Sequence, residues 1–174
     1  MLDATQLQAH YTGIGSSAVA TIVGCDPYRT PWQLWREMTD PSTRPDLSDN
    51  EHVQAGNIFE EAICKAAAHK LRKQIRFPTA GYTYRHPAHK WALAHPDALV
   101  TNESAVIEAK MRDWRQRARY GDEGTDQAQE HEIVQCQWQM GIGQWETAYL
   151  AVQLDAKFPR VFTLPFDRDL FQFL

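Results

Sequence analysis

The chain has 174 residues, of which 43% are hydrophobic, so it is long enough to bury a core and we expect one domain over 1–174. Its formal net charge of −4 excludes a uniformly basic nucleic-acid coat, although a local basic channel remains compatible with it. Three scattered cysteines without a CxxC spacing argue against a zinc site and are typical of reduced thiols inside a cell.

Targeting signals are the next feature. The sequence begins without the basic-then-apolar pattern of a secretion signal, and no run approaches 18 apolar residues. We therefore expect a soluble, cytoplasmic protein with no membrane partner.

The first patterned segment is glycine- and serine-rich and is followed by small apolar residues at 18–23. Ser16 or Ser17 could cap a short helix here, and Gly24 could end it. Free backbone N–H groups at such a helix start can also hold a phosphate. The pattern leaves both interpretations open, a capped structural helix or a phosphate contact.

A turn with two prolines at 26–31 leads into an amphipathic stretch at 31–38 that predicts a helix. Four side chains here could stack on bases or clamp a phosphate: Tyr28, Arg29, Trp32 and Trp35. The alternative is that the tryptophans belong to the core. The polar, proline-bearing stretch 39–50 predicts a loop.

The clearest helix in the sequence runs from Gly56 to Leu71. Glu60 and Glu61 are adjacent, so they point about 100° apart on a helix and only one of them can face a site. Glu61 lies four residues before Lys65, which favours a surface pair. We predict that Glu60 is the inward-facing one.

The stretch 70–77 predicts a helix end that leads into a strand, 82–84 predicts a second strand, and 91–94 leads into a hairpin. Three consecutive strands after a helix suggest an antiparallel meander flanked by helices. The stretch 95–110, HPDALVTNESAVIEAK, then predicts a hairpin with its turn at 101–104.

That hairpin brings two carboxylates together. Asp97 begins the first arm and Glu108 ends the second, so both lie at one end of the sheet, and Lys110 shares a face with Glu108. Converging carboxylates repel unless a cation lies between them, and oxygen ligands favour Mg²⁺ or Mn²⁺. The Ala109 carbonyl could add a ligand. The alternative is a surface hairpin with a solvated Glu108–Lys110 pair.

Beyond the hairpin, 111–120 carries four arginines, among them Arg112 and Arg115, together with two aromatic residues. This composition suits a channel for a phosphate backbone, but a solvated arginine-rich helix would look the same.

The stretch 132–144 predicts a helix in which Gln135 and Gln139 recur at helical spacing. Its glutamines could bind phosphate or a metal-bound water, or face solvent. Strands are predicted at 147–154 and 161–164.

Four segments, in this order and spacing, resemble the YqaJ-like viral recombinase family, the phage alkaline exonucleases related to lambda exonuclease. They are GIGSSAVATIVGCDPYRTPWQLW at 13–35, GNIFEE at 56–61, HPDALV with IEAK in the hairpin, and IVQCQWQMGIG at 133–143. The resemblance covers residues 13 to about 152.

The resemblance implies a PD-(D/E)XK nuclease domain of the α/β (α+β) class, with a central mixed sheet flanked by helices. It implies 5′→3′ digestion of double-stranded DNA from its ends, leaving 3′ overhangs for phage-type recombination with a single-strand annealing protein. It further implies two Mg²⁺ ions (or Mn²⁺) per site, a homo-oligomeric ring such as a trimer, and a bacterial or phage-encoded protein in the host cytoplasm.

The same resemblance assigns roles to residues. The metal ligands would be Asp97, Glu108, Glu60 and the carbonyl of Ala109. Lys110 would orient the attacking water, Gln135 or Gln137 would lie beside the cluster, and Ser17 would contact DNA phosphate.

Two departures from the family leave the binding of a 5′ phosphate open. Ala18 stands where an acidic residue is common, and His10 and Tyr11 stand where an arginine is usual. Two other readings also remain, a structure- or sequence-specific endonuclease on the same fold and a catalytically silent DNA-binding module.

Overall fold

The computed structural model describes residues 13–174. The α-helices are α1 (Ser16–Ile22), α2 (Pro31–Thr39), α3 (Glu51–Leu71), α4 (Glu130–Gly143) and α5 (Arg168–Phe173), and 3₁₀ helices span Pro41–Thr43 and Trp114–Arg119. The strands are β1 (Ile75–Arg76), β2 (Tyr84–Arg85), β3 (Leu93–Ala94), β4 (Ala98–Val100), β5 (Ala105–Met111), β6 (Thr147–Gln153) and β7 (Arg160–Pro165). No helix in this part of the chain is both long and apolar enough to cross a membrane.

The central sheet is mixed, with strand order β1-β4-β5-β6-β7. Only β5 and β6 are parallel, and their connection runs through α4, as a crossover between parallel strands requires. The predicted hairpin is confirmed, because β4 and β5 pair antiparallel with Ala98 opposite Ile107. Asn102 in its turn adopts a left-handed conformation with φ 64°.

The predicted meander is wrong. β1 pairs with β4 at the edge of the main sheet, whereas β2 and β3 form a separate two-stranded ribbon. Ala92 and Ala94 pack against Trp138 of α4, and the Trp138 indole donates to the carbonyl of Leu93 at 3.0 Å. These contacts draw the ribbon onto the outer side of α4 and away from the sheet.

Helices cover both faces of the sheet. Ile63, Cys64 and Ala67 of α3 pack on one face, while Cys136 and Met140 of α4 pack on the other. Short α1 lies over α4 in turn. The resulting fold is the expected α/β arrangement, with its core on both sides of β5 and β6.

The starts of three helices differ in their chemistry. At α2, Thr30 and Gln33 form a capping box ahead of Pro31, as the sequence pattern favours. At α3, Asn50 caps a helix that begins five residues before the predicted Gly56. At α1, by contrast, Gly15 is the N-cap and no side chain caps the helix, so the predicted serine cap is wrong.

Candidate active site

The two hairpin carboxylates meet at one end of the sheet. Asp97 directly precedes β4, and the backbone N–H of Ala109 on β5 donates to its Oδ2 at 2.7 Å. Glu108 directly precedes Ala109 on β5 and is only 3% exposed. The hairpin register therefore places both acids together, with the Ala109 backbone beside them.

Helix α4 holds the Glu108 carboxylate from above the sheet. Gln139 donates to Glu108 Oε2 at 2.8 Å, and Gln135 donates to Oε1. Lys110 donates to the same Oε1 at 2.6 Å and to the Gln135 side-chain oxygen at 2.9 Å. Both carboxylate oxygens are thus bonded, and the plane of the carboxylate is fixed.

Glu60 approaches from α3, on the other side of β5. It is half-buried on the helix face that also carries Ile63 and Cys64, whereas Glu61 pairs with Lys65 at the surface, at 2.5 Å. The structure thus turns Glu60 inward, as the sequence pattern predicts.

The carboxyl groups of this cluster influence one another. Burial, with the nearby Glu108 and Glu60, raises the pKa of Asp97 well above its usual range. Burial and Glu108 likewise raise the pKa of Glu60. Burial alone would lower the pKa of Lys110, but Glu108 and Asp97 outweigh it and the pKa is raised. Three carboxyl groups therefore face a single ammonium group.

This excess of acidic oxygen fits a hard divalent cation, which prefers carboxylate and carbonyl ligands. The donor chemistry is present in Asp97, Glu108, Glu60 and the Ala109 carbonyl. Within 13–174, however, no group of three or more His, Cys, Asp or Glu side chains is gathered at the spacing of a metal site. Both carboxylate oxygens of Glu108 instead accept hydrogen bonds, from Lys110, Gln135 and Gln139.

Comparison with known proteins decides the family. The model of the YqaJ-like viral recombinase domain matches residues 6–147. The chain belongs to the YqaJ-like viral recombinase family. It is also 29% identical over 142 residues to the uncharacterized protein YqaJ of Bacillus subtilis strain 168. That match takes in 80% of this chain but 43% of the relative, so the chain spans less than half of the relative's length.

Solved structures show the fold. An alkaline exonuclease, LHK-Exo, from Laribacter hongkongensis aligns with a TM-score of 0.71 at 16% identity, covering 95% of this chain and 83% of that one. LHK-Exo in complex with dAMP aligns at 0.70, also at 16% identity, over 94% and 83% of the two chains. A phage-related exonuclease from Haemophilus somnus 129PT gives 0.64 at 18% identity, over 92% and 87%. The fold is of the PD-(D/E)XK type.

Of the two glutamines that were alternatives for a place beside the cluster in this YqaJ-family chain, Gln135 lies there and Gln137 does not. Gln137 faces away from the cluster, donating to the Pro165 carbonyl at 2.8 Å and accepting from the Asp167 N–H at 2.9 Å. It anchors the C-terminal segment instead. Residues four apart share a helix face, whereas residues two apart do not. Gln139, which the motif resemblance did not include, therefore shares the contact with Glu108 that Gln135 makes. The four-residue spacing of Gln135 and Gln139 was the sequence signal that could have identified it.

Two arginines predicted to contact DNA are engaged inside the protein. Arg112 forms an ion pair with Glu132 at 2.7 Å. Arg29 pairs with Glu37 at 2.8 Å and also reaches the Thr21 hydroxyl. Both guanidinium groups therefore have a carboxylate partner within the protein and remain partly exposed, and their contact with DNA stays a prediction.

The remaining DNA-binding candidates separate into exposed and buried groups. The Ser16 hydroxyl is buried and has no hydrogen-bond partner among the described residues, whereas Ser17 is exposed. Tyr28 is 64% exposed, and Trp32 (62% exposed) stacks on Trp35 with ring centroids 4.8 Å apart. The tryptophans are therefore not core residues.

Arg115 is also exposed. Its guanidinium lies 5.7 Å from the Trp114 ring and 3.4 Å from Asp113, in a 3₁₀ helix with no buried residues. The arginine-rich stretch is thus solvated along most of its length. His10 and Tyr11 lie outside the described residues.

Proposed function

We propose that this chain is a single metal-dependent deoxyribonuclease domain that digests double-stranded DNA from its ends, 5′→3′. The observation that carries the proposal is the convergence of Asp97, Glu108 and Lys110 at one sheet end, in the order and strand positions of a P-D and E-x-K pair. Membership of the YqaJ-like family and the fold shared with two exonucleases support it.

Lys110 is suited to handle the attacking water. Its ammonium group has three protons, of which Glu108 and Gln135 accept two. The third can reach a water molecule or a phosphate oxygen at the mouth of the cluster. Because Lys110 stays protonated, it can also offset the negative charge that develops on the phosphate.

The acidic residues are suited to hold divalent cations. We propose that Asp97, Glu108, Glu60 and the Ala109 carbonyl bind two Mg²⁺ or Mn²⁺ ions. Such ions would help to activate water near neutral pH and would offset negative charge on the phosphate. Gln135 and Gln139 hold the Glu108 carboxylate in place.

We extend the proposal to the biological role through the family. The 3′ single strands left by digestion would feed phage-type recombination through a single-strand annealing protein. A homo-oligomeric ring, such as a trimer, would keep the enzyme on its DNA. Light scattering tests the ring, and polarity follows from release of label from 5′-labelled against 3′-labelled duplex.

The decisive experiment digests linear and closed-circular duplex DNA with Mg²⁺ and with chelator. We expect metal-dependent loss of the linear form only, and none with Lys110→Ala. Lys65→Ala is the matched control, because Lys65 also pairs with a glutamate but does so at the surface.

Each other outcome rejects the proposal in its own way. Cleavage of the circle would establish an endonuclease, because an exonuclease requires an end. DNA binding without cleavage of either substrate would establish a binding module. Equal cleavage by the parent and Lys110→Ala would place the active site elsewhere.

A further inference from the structure

Two residues of β5 and the residue that follows the strand face three residues of α4 in register. Glu108, Lys110 and Arg112 share one side of the strand, because side chains alternate. Across from them lie Gln139, Gln135 and Glu132, which share one side of the helix. The pairs are Glu108–Gln139, Lys110–Gln135 and Arg112–Glu132, with contacts of 2.8, 2.9 and 2.7 Å. We name these three pairs the polar ladder.

The outer pair of the polar ladder joins a fully buried carboxylate to a guanidinium whose side chain is 20% exposed. Glu132 has no exposed surface, and its Oε1 accepts from the Arg112 Nε at 2.9 Å. The Tyr120 hydroxyl donates to Glu132 Oε2 at 3.0 Å, and Gln129 donates to that hydroxyl in turn at 2.6 Å. Burial alone would lower the pKa of Arg112, but the neighbouring Glu132 outweighs it and the pKa is raised, so the guanidinium stays protonated.

Such a pair is a costly way to gain stability. Removing the Glu132 carboxylate from water is unfavourable, and apolar residues of similar volume are often as stable as a buried ion pair or more so. In some proteins a buried polar or ionic pair is retained because it fixes the register between two elements. Here the elements are the strand that carries Glu108 and Lys110 and the helix that carries their glutamine partners.

We propose that Arg112 and Glu132 are positioning residues for the active site. They lock the end of β5 onto the start of α4, so that Lys110 and Gln135 keep their mutual contact when DNA binds. This inference rests on the proposed nuclease function, and it gives Arg112 a role different from the DNA contact expected from sequence.

Burial makes the two roles separable. Glu132 cannot touch DNA, because no part of it is exposed. If Arg112 acted only on phosphate, a change at Glu132 would alter DNA binding and therefore KM, and it would leave kcat unchanged. If the pair positions Lys110, Glu132→Gln will lower kcat by about 10–100-fold, as loss of groups that orient an active site usually does, with KM within about twofold.

A double variant separates positioning from stability. Arg112→Met with Glu132→Leu removes both charges and refills the space, so we expect a melting temperature near that of the parent. We expect its kcat to remain low. The matched control is Lys65→Met with Glu61→Leu, which removes a surface ion pair of the same kind and should leave kcat unchanged.

A second measurement does not depend on cleavage. In an NMR spectrum, the side-chain amide protons of Gln135, identified by their loss in Gln135→Ala, report the contact with Glu108. We expect them to shift in Glu132→Gln and to stay in place in the Lys65 and Glu61 control.

The outcomes are distinct. An unshifted Gln135 signal in Glu132→Gln overturns the inference, whether or not the parent cuts DNA. Parent kcat in Glu132→Gln, or kcat that recovers with stability in the double variant, overturns it as well. Failure of the parent to cut any DNA would instead reject the proposed function, and the NMR signal would still decide the inference.

Discussion

The two faces of β5 differ sharply. On the α3 face, Ala105 and Ile107 pack against Ala67 and its neighbours in an apolar layer. On the α4 face, Val106 is followed by Glu108 and Lys110, which are bonded to glutamines. The same strand thus carries a hydrophobic contact on one side and charged contacts on the other.

The difference teaches how one strand supports both stability and chemistry. Burial of apolar surface contributes roughly 25 cal/mol per Å² but has no preferred direction, so the α3 face fixes where β5 lies. Hydrogen bonds to charged groups are directional, so the α4 face fixes how the reactive groups are oriented. Because side chains alternate along a strand, Ile107 packs in the apolar layer on the α3 face, while Glu108 is hydrogen-bonded on the α4 face.

The largest effect should come from the α4 face. Glu108→Ala removes a predicted metal ligand and the partner of three side chains, so we expect cleavage to fall by about 10³-fold or more. Initial rates on linear duplex DNA at saturating metal measure this. Glu103→Ala, at the turn of the same hairpin, should retain the parent rate, and an active Glu108→Ala enzyme would refute the site.

The α3 face should respond in stability. Ile107→Ala leaves a cavity in a fully buried layer, and we expect a loss of about 2–5 kcal/mol in the free energy of unfolding. Urea denaturation measures it. Activity per folded molecule should change little, and a variant with normal stability but no activity would show that the two faces are not separable.

Glu60 is an exception to this difference between the two faces, because it comes from the apolar α3 side and yet faces the acidic cluster. We expect Glu60→Gln to lower cleavage by about tenfold, since it replaces one of the proposed carboxylate ligands with a neutral amide without creating a cavity. Glu61→Gln is the adjacent control and should cost only its surface pair with Lys65. Equal rates for both variants would remove Glu60 from the site.

Asp97 allows a test by pH in the presence of chelator. Its pKa is raised by burial and by Glu108 and Glu60, so the folded protein holds its proton more tightly than the unfolded chain does. Stability should therefore fall as the pH rises from the unfolded-state value of 3.8 through the raised pKa.

Asp97→Asn should remove this decline and raise the melting temperature of the metal-free protein at neutral pH. Added Mn²⁺ should stabilise the parent more than the variant. Thermal melts across the pH range, with and without metal, measure both effects. A parent whose stability rises over this range would contradict the assigned environment of Asp97.

Several features could be predicted because they depend on neighbours in the chain. The hairpin at 95–110 follows from its turn residues, and its register alone brings Asp97 beside Glu108. The orientation of Glu60 follows from helical geometry and from the pair that Glu61 makes with Lys65. The ordered motifs predicted the family, which the domain match confirms.

Only the tertiary structure decided what depends on packing between distant elements. Gln139 rather than Gln137 meets Glu108 because the face of α4 that lies on β5 is set by the crossover to β6. Arg112 is drawn inward by a glutamate 20 residues away, a pairing that an arginine-rich segment does not reveal. The chain determines which residues can react, through local spacing, but long-range burial determines which of them share a face and a partner.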